Sequence, residues 1–475
     1  MSSLTEESSV RAERNLPMNL KTVDTAGSNS MHAQPDTHPD PQVRPYLDIH
    51  EQGREALPGE RVEWHANWRH GCLQRFADQG FPTLRDEEWR YTSVRPILSK
   101  RFAPAEDSGL MPDSSAYRIE GIAHTLVFVD GIMQGPAAPL GMDAGIRVDS
   151  ISRVLENDPE RIRPYLGKSA EERAHGFSLM NNALYRDGVL VEIGQGVRSD
   201  APLELLFVSR TDAALILPRI LIVARNNSVA RIVERHVSET GTSSLTSGVG
   251  ELYLEPGAHL DYHLVESQSD SAFQVSGNWA YLSRDSRLDF HTTTVGGALV
   301  RNDLVIDMQE PGAQCNLMGA YCLSGRQHVD NFTTVVHSAP HCSSNEHYKG
   351  VLDRRSRAVF HGRIRVAPDA QQTDAQQANN TLLLSPDAEI DTKPQLEIYA
   401  NDVKCSHGAT IGNLDEQAMF YLKSRGIDGD KARLMLIRAF VDEVLEAVGP
   451  DSVQQHVKAL MDSKLSRLPI STKSG

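Results

Sequence analysis

The feature that most constrains how this chain can fold is a loose repeat in its second half. Short apolar segments follow small or turn-forming residues at Ser228-Val229-Ala230-Arg231-Ile232, Pro256-Gly257-Ala258-His259-Leu260, Ser286-Arg287-Leu288 and Pro311-Gly312-Ala313-Gln314-Cys315. Their landmark positions 232, 260, 288 and 315 are spaced by 28, 28 and 27 residues. Ser356-Arg357-Ala358-Val359-Phe360-His361 echoes Ser286-Arg287-Leu288-Asp289-Phe290-His291, and Pro386-Asp387-Ala388-Glu389-Ile390 is a further echo. Strand-like segments at a fixed period in the twenties, with no helices between them, predict stacked β-coils. No coil buries its inner face alone, so the stack is the stable unit. An antiparallel sandwich would carry more two-residue hairpin signals than appear here.

The flanking sequence divides the rest. Residues 1–45 are polar, punctuated by Pro35, Pro39, Pro41 and Pro45, and lack apolar periodicity, which predicts a disordered extension. Residues 46–115 read as a helical region: Trp64, Trp68, Cys72 and Phe76 recur every four residues and share one helix face, until Phe81-Pro82-Thr83 breaks the pattern. Residues 116–412 form the β core, with strands such as Thr125–Val129 before Asp130-Gly131 and Val189–Ile193 before Gly194, and a helical insertion at 158–174. Residues 413–462 are helical again. Asn413-Leu414-Asp415-Glu416 reads as a capping box, Gly426 ends the first helix, and Leu434, Ile437, Val441, Val444 and Leu445 make an apolar stripe on a second running from about 430 to 448. Residues 463–475 read as a loose tail.

Composition removes whole classes of function. A formal net charge of −15 over 475 residues argues against a general nucleic-acid binder, which needs a basic surface. No segment approaches the roughly 20 apolar residues of a membrane-spanning helix. The start, Met1-Ser2-Ser3-Leu4-Thr5-Glu6-Glu7, has neither the basic nor the apolar region of a secretory signal, so the expected location is cytoplasmic. Five scattered cysteines, at 72, 315, 322, 342 and 405, suit reduced thiols better than a disulfide framework.

Catalytic motifs fail on inspection. Gly167-Lys168-Ser169 resembles the end of a phosphate loop, but Ile162 stands where its first glycine belongs. Gly194-Gln195-Gly196 has Ser199 in place of the third glycine of a dinucleotide fingerprint. Cys-x-x-Cys, His-Glu-x-x-His and Gly-x-Ser-x-Gly are absent from the sequence. A β-helix carbohydrate enzyme would need paired carboxylates, for which Asp285, Asp289, Asp303 and Asp307 qualify only by residue type.

Imidazole and thiol side chains crowd the second half, at His328, His337, His341, His347, His361 and His407 and at Cys315, Cys322, Cys342 and Cys405. Taken singly, each is an ordinary core or surface residue. Cys405-Ser406-His407 differs in geometry: on a strand, positions i and i+2 face the same side about 6.6 Å apart. Thiolate and imidazole can then converge on one soft or borderline metal. Gly408 removes a side chain beside them. Two ligands make half a site, and a structural role for the pair stays open on residues alone.

The run Asn401-Asp402-Val403-Lys404-Cys405-Ser406-His407-Gly408-Ala409-Thr410-Ile411-Gly412 resembles the signature of SufD proteins of the SufB/SufD family. Glu87-Glu88-Trp89-Arg90-Tyr91-Thr92, Phe128-Val129-Asp130-Gly131 and the stretch from Ser424-Arg425-Gly426-Ile427 to Ala439-Phe440 are similar too, so the likeness spans about residues 46–450. A SufB-type paralogue is the alternative, against which Lys404-Cys405-Ser406-His407 argues. The resemblance implies a right-handed parallel β-helix between helical regions and a non-catalytic scaffold in iron–sulfur cluster assembly. The implied partners are SufB, in a heterodimer, and the SufC ATPase, docked on the C-terminal helices; in isolation a homodimer is the substitute. It also implies that His407, and more weakly Cys405, face a transient cluster or iron at the SufB interface. Arg425, Gly426, Lys431, Arg433 and Phe440 are the implied SufC contacts. The sulfur-accepting cysteine belongs to SufB and is not carried over to Cys315, Cys322 or Cys342. Some members associate with reduced flavin, and no residue pattern here locates it.

Overall fold

The computed structural model describes residues 40–106, 117–122, 124–134, 145–171, 173–449 and 451–467. Residues 1–39 and 468–475, which hold most of the expected extension and tail, lie outside them. Three helices open the described chain: α1 (Arg44–Gly53), α2 (Glu63–Gln79) and α3 (Arg95–Leu98). Strands β1 (His124–Val129), β2 (Ile132–Gln134) and β3 (Ile146–Ser150) follow, then helices α4 (Ile151–Asn157) and α5 (Gly176–Leu184). The coil proceeds through β4 (Val189–Ile193), β5 (Leu203–Ser209), β6 (Leu215–Ile216), β7 (Arg219–Ala224), β8 (Val229–Ser238), β9 (Leu245–Leu254) and β10 (His259–Glu266). It continues with β11 (Phe273–Leu282), β12 (Arg287–Thr294), β13 (Leu299–Met308), β14 (Gln314–Leu323) and β15 (His328–His337). The last rungs are β16 (Ser343–Leu352), β17 (Arg357–Val366), β18 (Thr373–Leu383), β19 (Glu389–Ile398) and β20 (Val403–Gly412). Helices α6 (Glu416–Ser424), α7 (Gly429–Leu445) and α8 (Asp451–Ser466) close the chain.

From β7 onward, successive strands alternate between two sheets. One runs β2-β1-β5-β8-β10-β12-β14-β16-β18-β20 and the other β19-β17-β15-β13-β11-β9-β7-β4-β3. From β4 to β20 all strand pairings are parallel, and the result is a β-solenoid of about 8 turns. One turn therefore takes two strands, and the 28-residue period of the sequence is a whole coil. Leu260, Leu288 and Cys315 are register partners, as the repeat requires. Ile232 is not in their column: it pairs with Tyr262, and Ala230 is the true partner of Leu260. The echo at Ser356–His361 lies on β17, in the opposite sheet from β12, so it reflects common strand chemistry and not one register.

The turns make stacking possible. Gly257 and Gly312 have φ of +71° and +80°, and a Cβ on Gly312 would meet Asp285 Oδ1 of the preceding turn at 2.1 Å. Only glycine fits a corner that is both left-handed and pressed against the turn beside it. Inside, aligned side chains stack along the coil: Tyr262 on Phe290 with centroids 4.9 Å apart, and Phe128 on Phe207 at 4.5 Å. Such rows bury large apolar area in each rung.

Each sheet also needs a cover for its outer face. Helices α1, α2 and α5 cover the β9–β11–β13 face, where Phe76, Phe81, Trp89 and Phe177 join Leu245, Phe273, Trp279 and Tyr281 in one buried cluster. The expected helix face holds: Cys72 and Phe76 are buried, and Trp64 and Trp68 pack on the same cluster. Gly80, at φ +67°, ends α2 one residue before Phe81. On the other sheet, α7 and α8 lay Ile437, Val441, Val444, Val453, Val457 and Met461 over Val233, Val265, Ala320, Cys322 and Val351.

Several boundaries differ from expectation. Among its described residues the 158–174 segment holds short 3-10 turns, at Pro159–Arg161 and Lys168–Ala170, and the regular helix α5 starts after it. The cap of α6 is Asp415, whose carboxylate accepts from the Gln417 and Ala418 amides; Asn413 stands two residues too early. The third C-terminal helix, α8, extends to Ser466, past the expected start of the tail at 463, and α1 begins at Arg44 inside the expected extension.

A buried ion cluster ties the N-terminal region to the coil. Arg301 on β13 bonds Asp303 Oδ1 at 2.7 Å and Asp330 Oδ2 at 2.6 Å, donates to the Glu88 carbonyl at 2.8 Å, and lies 3.9 Å under the Trp89 ring. The arginine holds Asp303 well below the usual carboxylate range. Asp289 is equally engaged, by His259, Arg287 and Asn316, and is also held low. Neither carboxyl resembles the raised general acid a glycosidase needs.

The lumen itself is partly polar. Burial pushes the carboxyl of Glu346 on β16 up to about 7, although Gln377 Nε2 donates to it at 2.6 Å. Glu266, bonded by Thr294 and Asn302, is raised to about 7 for the same reason.

Two outcomes are expected. Arg301→Met takes the cation from buried Asp303 and Asp330, leaving them only His175 and the Thr92 hydroxyl, and should cost on the order of 3–5 kcal/mol, read as a lowered denaturant midpoint with early release of Trp89 fluorescence. Glu346 binds its proton more tightly folded than unfolded, so its contribution is fully present below about pH 4.5 and is lost as pH rises through about 7. Glu346→Gln should flatten that decline and raise stability at pH 8 by up to about 3 kcal/mol, checked by urea midpoints across the pH range.

Candidate functional site: the open end of the coil

Burial disposes of most candidate ligands. Cys72, Cys315, Cys322 and Cys342 are buried free thiols. Desolvation pushes Cys72 up to about 11 and Cys322 up to about 12, so neither offers a thiolate near neutral pH. Burial likewise lowers His328, His337 and His361 to about 4, and the Nε2 atoms of His328 and His337 pair with Thr92 and Ser344 at 2.9 Å. His347 meets Asn380 Oδ1 at 3.0 Å, and His341 occupies a turn with φ +62°. All but Cys72, which lies on α2, are parts of the coil.

Cys405 and His407 sit elsewhere, on β20, the last strand of its sheet. Register aligns Cys405 with Ala375 and His407 with Gln377, both buried lumen residues of β18. The pair thus continues two inward columns, Leu260-Leu288-Cys315-Ser344-Ala375 and Tyr262-Phe290-Leu317-Glu346-Gln377, onto the terminal rung. No later rung covers it. Cys405 is half-buried against Ile364, Val366, Ala370 and Ala375, which with Asp374 raises its thiol, while His407 is exposed. Space around Gly408 is open: a Cβ there would meet nothing within 4 Å.

The surroundings of the pair are those of an unfinished core. β19 and β20 are both terminal strands, and Ile398, Tyr399 and Ile411 are 40%, 59% and 50% exposed. Pro394 removes one donor from β19 and blunts that edge, whereas β20 presents ten residues without proline. Among the described residues, the one group of three or more clustered metal-type ligands is Asp261, His263 and His291, on other strands. Cys405 and His407 therefore gain no third ligand from this chain's described residues. Sequence reading missed the polar column through Glu346 and Gln377 that leads to His407, because its members come from rungs about 30 residues apart with no shared motif.

The remaining candidates lie on the C-terminal helices. Arg425 stacks on Tyr421 with its guanidinium 5.2 Å from the ring and is exposed, as is Lys431. Gly426, at φ +83°, is the turn residue after α6: its amide reaches the Lys423 carbonyl and that of Ile427 reaches Leu422. Arg433 points to the Leu384 carbonyl at 3.5 Å, and Phe440 is half-buried beneath Lys349 Nζ at 4.5 Å. Phe420, Tyr421 and Met435 are 75%, 57% and 42% exposed on the same helices, and sequence reading passed over them because α6 shows only a weak apolar stripe.

Comparison with known proteins agrees with this architecture. Residues 207–440 match the SUF system FeS cluster assembly SufBD core domain, and residues 41–205 match the SufBD protein N-terminal region. An iron–sulfur cluster assembly SufBD family protein of Synechocystis is 30% identical over 405 residues, which covers 82% of this chain and 89% of that protein. The iron–sulfur cluster assembly protein SufD of Escherichia coli is 29% identical over 399 residues, 83% of this chain and 91% of that protein. The chloroplastic protein ABCI7 of Arabidopsis thaliana is 26% identical over 420 residues, 86% and 87% of the two chains. With both domains matched and relatives aligned along nearly their whole length, the chain belongs to the SufBD family of iron–sulfur cluster assembly proteins.

Proposed function

We propose that this chain is the SufD-type, non-catalytic scaffold subunit of a cytoplasmic assembly machine, pairing with SufB through the open end of its solenoid and docking the SufC ATPase on α6 and α7. The observation that carries this reading is the terminal rung. It combines an unpaired β20 edge, exposed apolar residues, and a thiol and an imidazole on the inward face. An edge of that kind favours strand addition by a second chain. A partner coil placed end to end would bury Ile398, Tyr399 and Ile411 and complete the ligand set around His407.

In this arrangement the nascent cluster is cargo, held at the seam between subunits. His407, exposed and unburdened by neighbours, offers a nitrogen donor that needs no displacement of a packed group. Cys405 is less accessible, and burial favours its protonated form, so it is the lesser contributor. On the helices, Arg425 and Lys431 with exposed Phe420, Tyr421 and Met435 supply the charge and apolar surface that an ATPase would grip. Gly426, Arg433 and Phe440 act indirectly, by fixing the α6–α7 turn and seating α7 on the coil.

Co-expression with SufB and SufC, followed by anaerobic purification, tests the reading. The intact complex carrying His407→Ala should retain all three subunits but lose most of its iron and acid-labile sulfide. Unchanged cluster content would remove His407 from the site. A chain that recovers neither partner would overturn the scaffold assignment itself.

A further inference from the structure

Far from the terminal rung, an Asp–aromatic–His triplet occurs twice, one coil apart. Asp261-Tyr262-His263 lies on β10 and Asp289-Phe290-His291 on β12, with Asp261 opposite Asp289 and His263 opposite His291. Strand alternation sends the two aromatic rings into the lumen and both Asp–His pairs to the outer face of the sheet. There the two imidazoles stack, with centroids 4.6 Å apart and planes 8° from parallel. Both Nε2 atoms approach one oxygen, Asp261 Oδ1, at 2.9 Å from His263 and 3.5 Å from His291.

The two carboxylates have different fates. Asp289 is fully engaged by His259 Nε2 at 2.7 Å, Arg287 Nε at 2.9 Å and Asn316 Nδ2 at 2.6 Å. Asp261 has Arg231 Nε at 3.6 Å on Oδ2, and its Oδ1 is left to the imidazoles. Although 2.9 Å apart, Asp261 Oδ1 and His263 Nε2 are both buried without a hydrogen-bond partner of acceptable geometry among the described residues. The short contact thus leaves both atoms without a hydrogen bond. A simple Asp–His contact would align along the line joining them.

We propose that Asp261, His263 and His291 form a binding site for one divalent first-row transition metal ion. Ligand atoms from the three side chains all lie within 4.8 Å of one another. Two imidazoles and one carboxylate suit borderline ions such as Fe2+, Co2+ and Zn2+ better than Mg2+ or Ca2+, which take mainly oxygen. The strands fix all three backbones, so assembling the ligands costs little conformational entropy. Entry is from the Asp261 side, where that side chain keeps 15% exposure while His263 keeps 1%. The inference stands apart from the assembly reading, since it uses none of the residues of the terminal rung.

The full-length chain carrying Cys405→Ser and His407→Ala, stripped with chelator, is titrated with Co2+ under anaerobic conditions. Visible absorption and equilibrium dialysis report binding. One Co2+ per chain is expected, with affinity reduced at least about tenfold by His263→Gln or His291→Gln and unchanged by Asp289→Asn. Should the histidine variants fold poorly, the rise in thermal midpoint that Co2+ gives the parent, and its loss in Asp261→Asn, replaces them. No binding at micromolar Co2+, or binding that survives both histidine substitutions, would overturn the site.

Discussion

The structure depends on one constraint: in a parallel coil, each strand's backbone groups are satisfied by the rungs before and after it. Between β4 and β18 that condition is met on both sides for every strand but the two-residue β6, which pairs with β9 alone. At β19 and β20 it is met on one side only, and the lumen columns come to the surface with it. Unpaired backbone and an open core make this end the least satisfied part of the coil. The candidate ligands Cys405 and His407 stand on that rung.

Burial then sorts the rest of the reactive side chains. The coil takes thiols and imidazoles into its walls, where desolvation raises the one and lowers the other, and both become neutral packing groups. The two helical regions complete this by covering opposite outer faces, one fixed through Arg301 and Trp89, the other through the α7–α8 apolar face. Cys405 is only half-buried and His407 is exposed, because no later rung follows them. Asp261, His263 and His291 are a different exception: the two imidazoles are buried and Asp261 nearly so, yet they face one another.

Much of the architecture could be read from residues. The spacing of Leu260, Leu288 and Cys315 gave the coil length because each turn repeats a left-handed corner, formed by Gly257, Asp285 and Gly312 in succession. The α2 face and the α7 stripe were legible because helix periodicity is local. Errors arose where a local pattern is shared by different places. Ser356–His361 resembles Ser286–His291 since both are strand starts after a turn, but tertiary pairing puts them in opposite sheets. The 158–174 segment has helix-forming residues, but Pro159 and Gly167, at φ +104°, keep it to short turns. The helix α8 was overlooked because its apolar residues, Val453, Val457, Met461 and Leu465, acquire meaning only against α7 and the sheet.

By itself, then, the sequence determined a coil of fixed period, its helical flanks, and a thiol and an imidazole on one face of one strand, for these follow from short-range periodicity. Tertiary structure decided that this strand is the last, that its inward face is open, and that no third ligand joins it from the described residues. Those properties depend on which rung lies next to which across some 30 residues of chain. Only the stacking of distant segments, satisfying one backbone with another, can fix them.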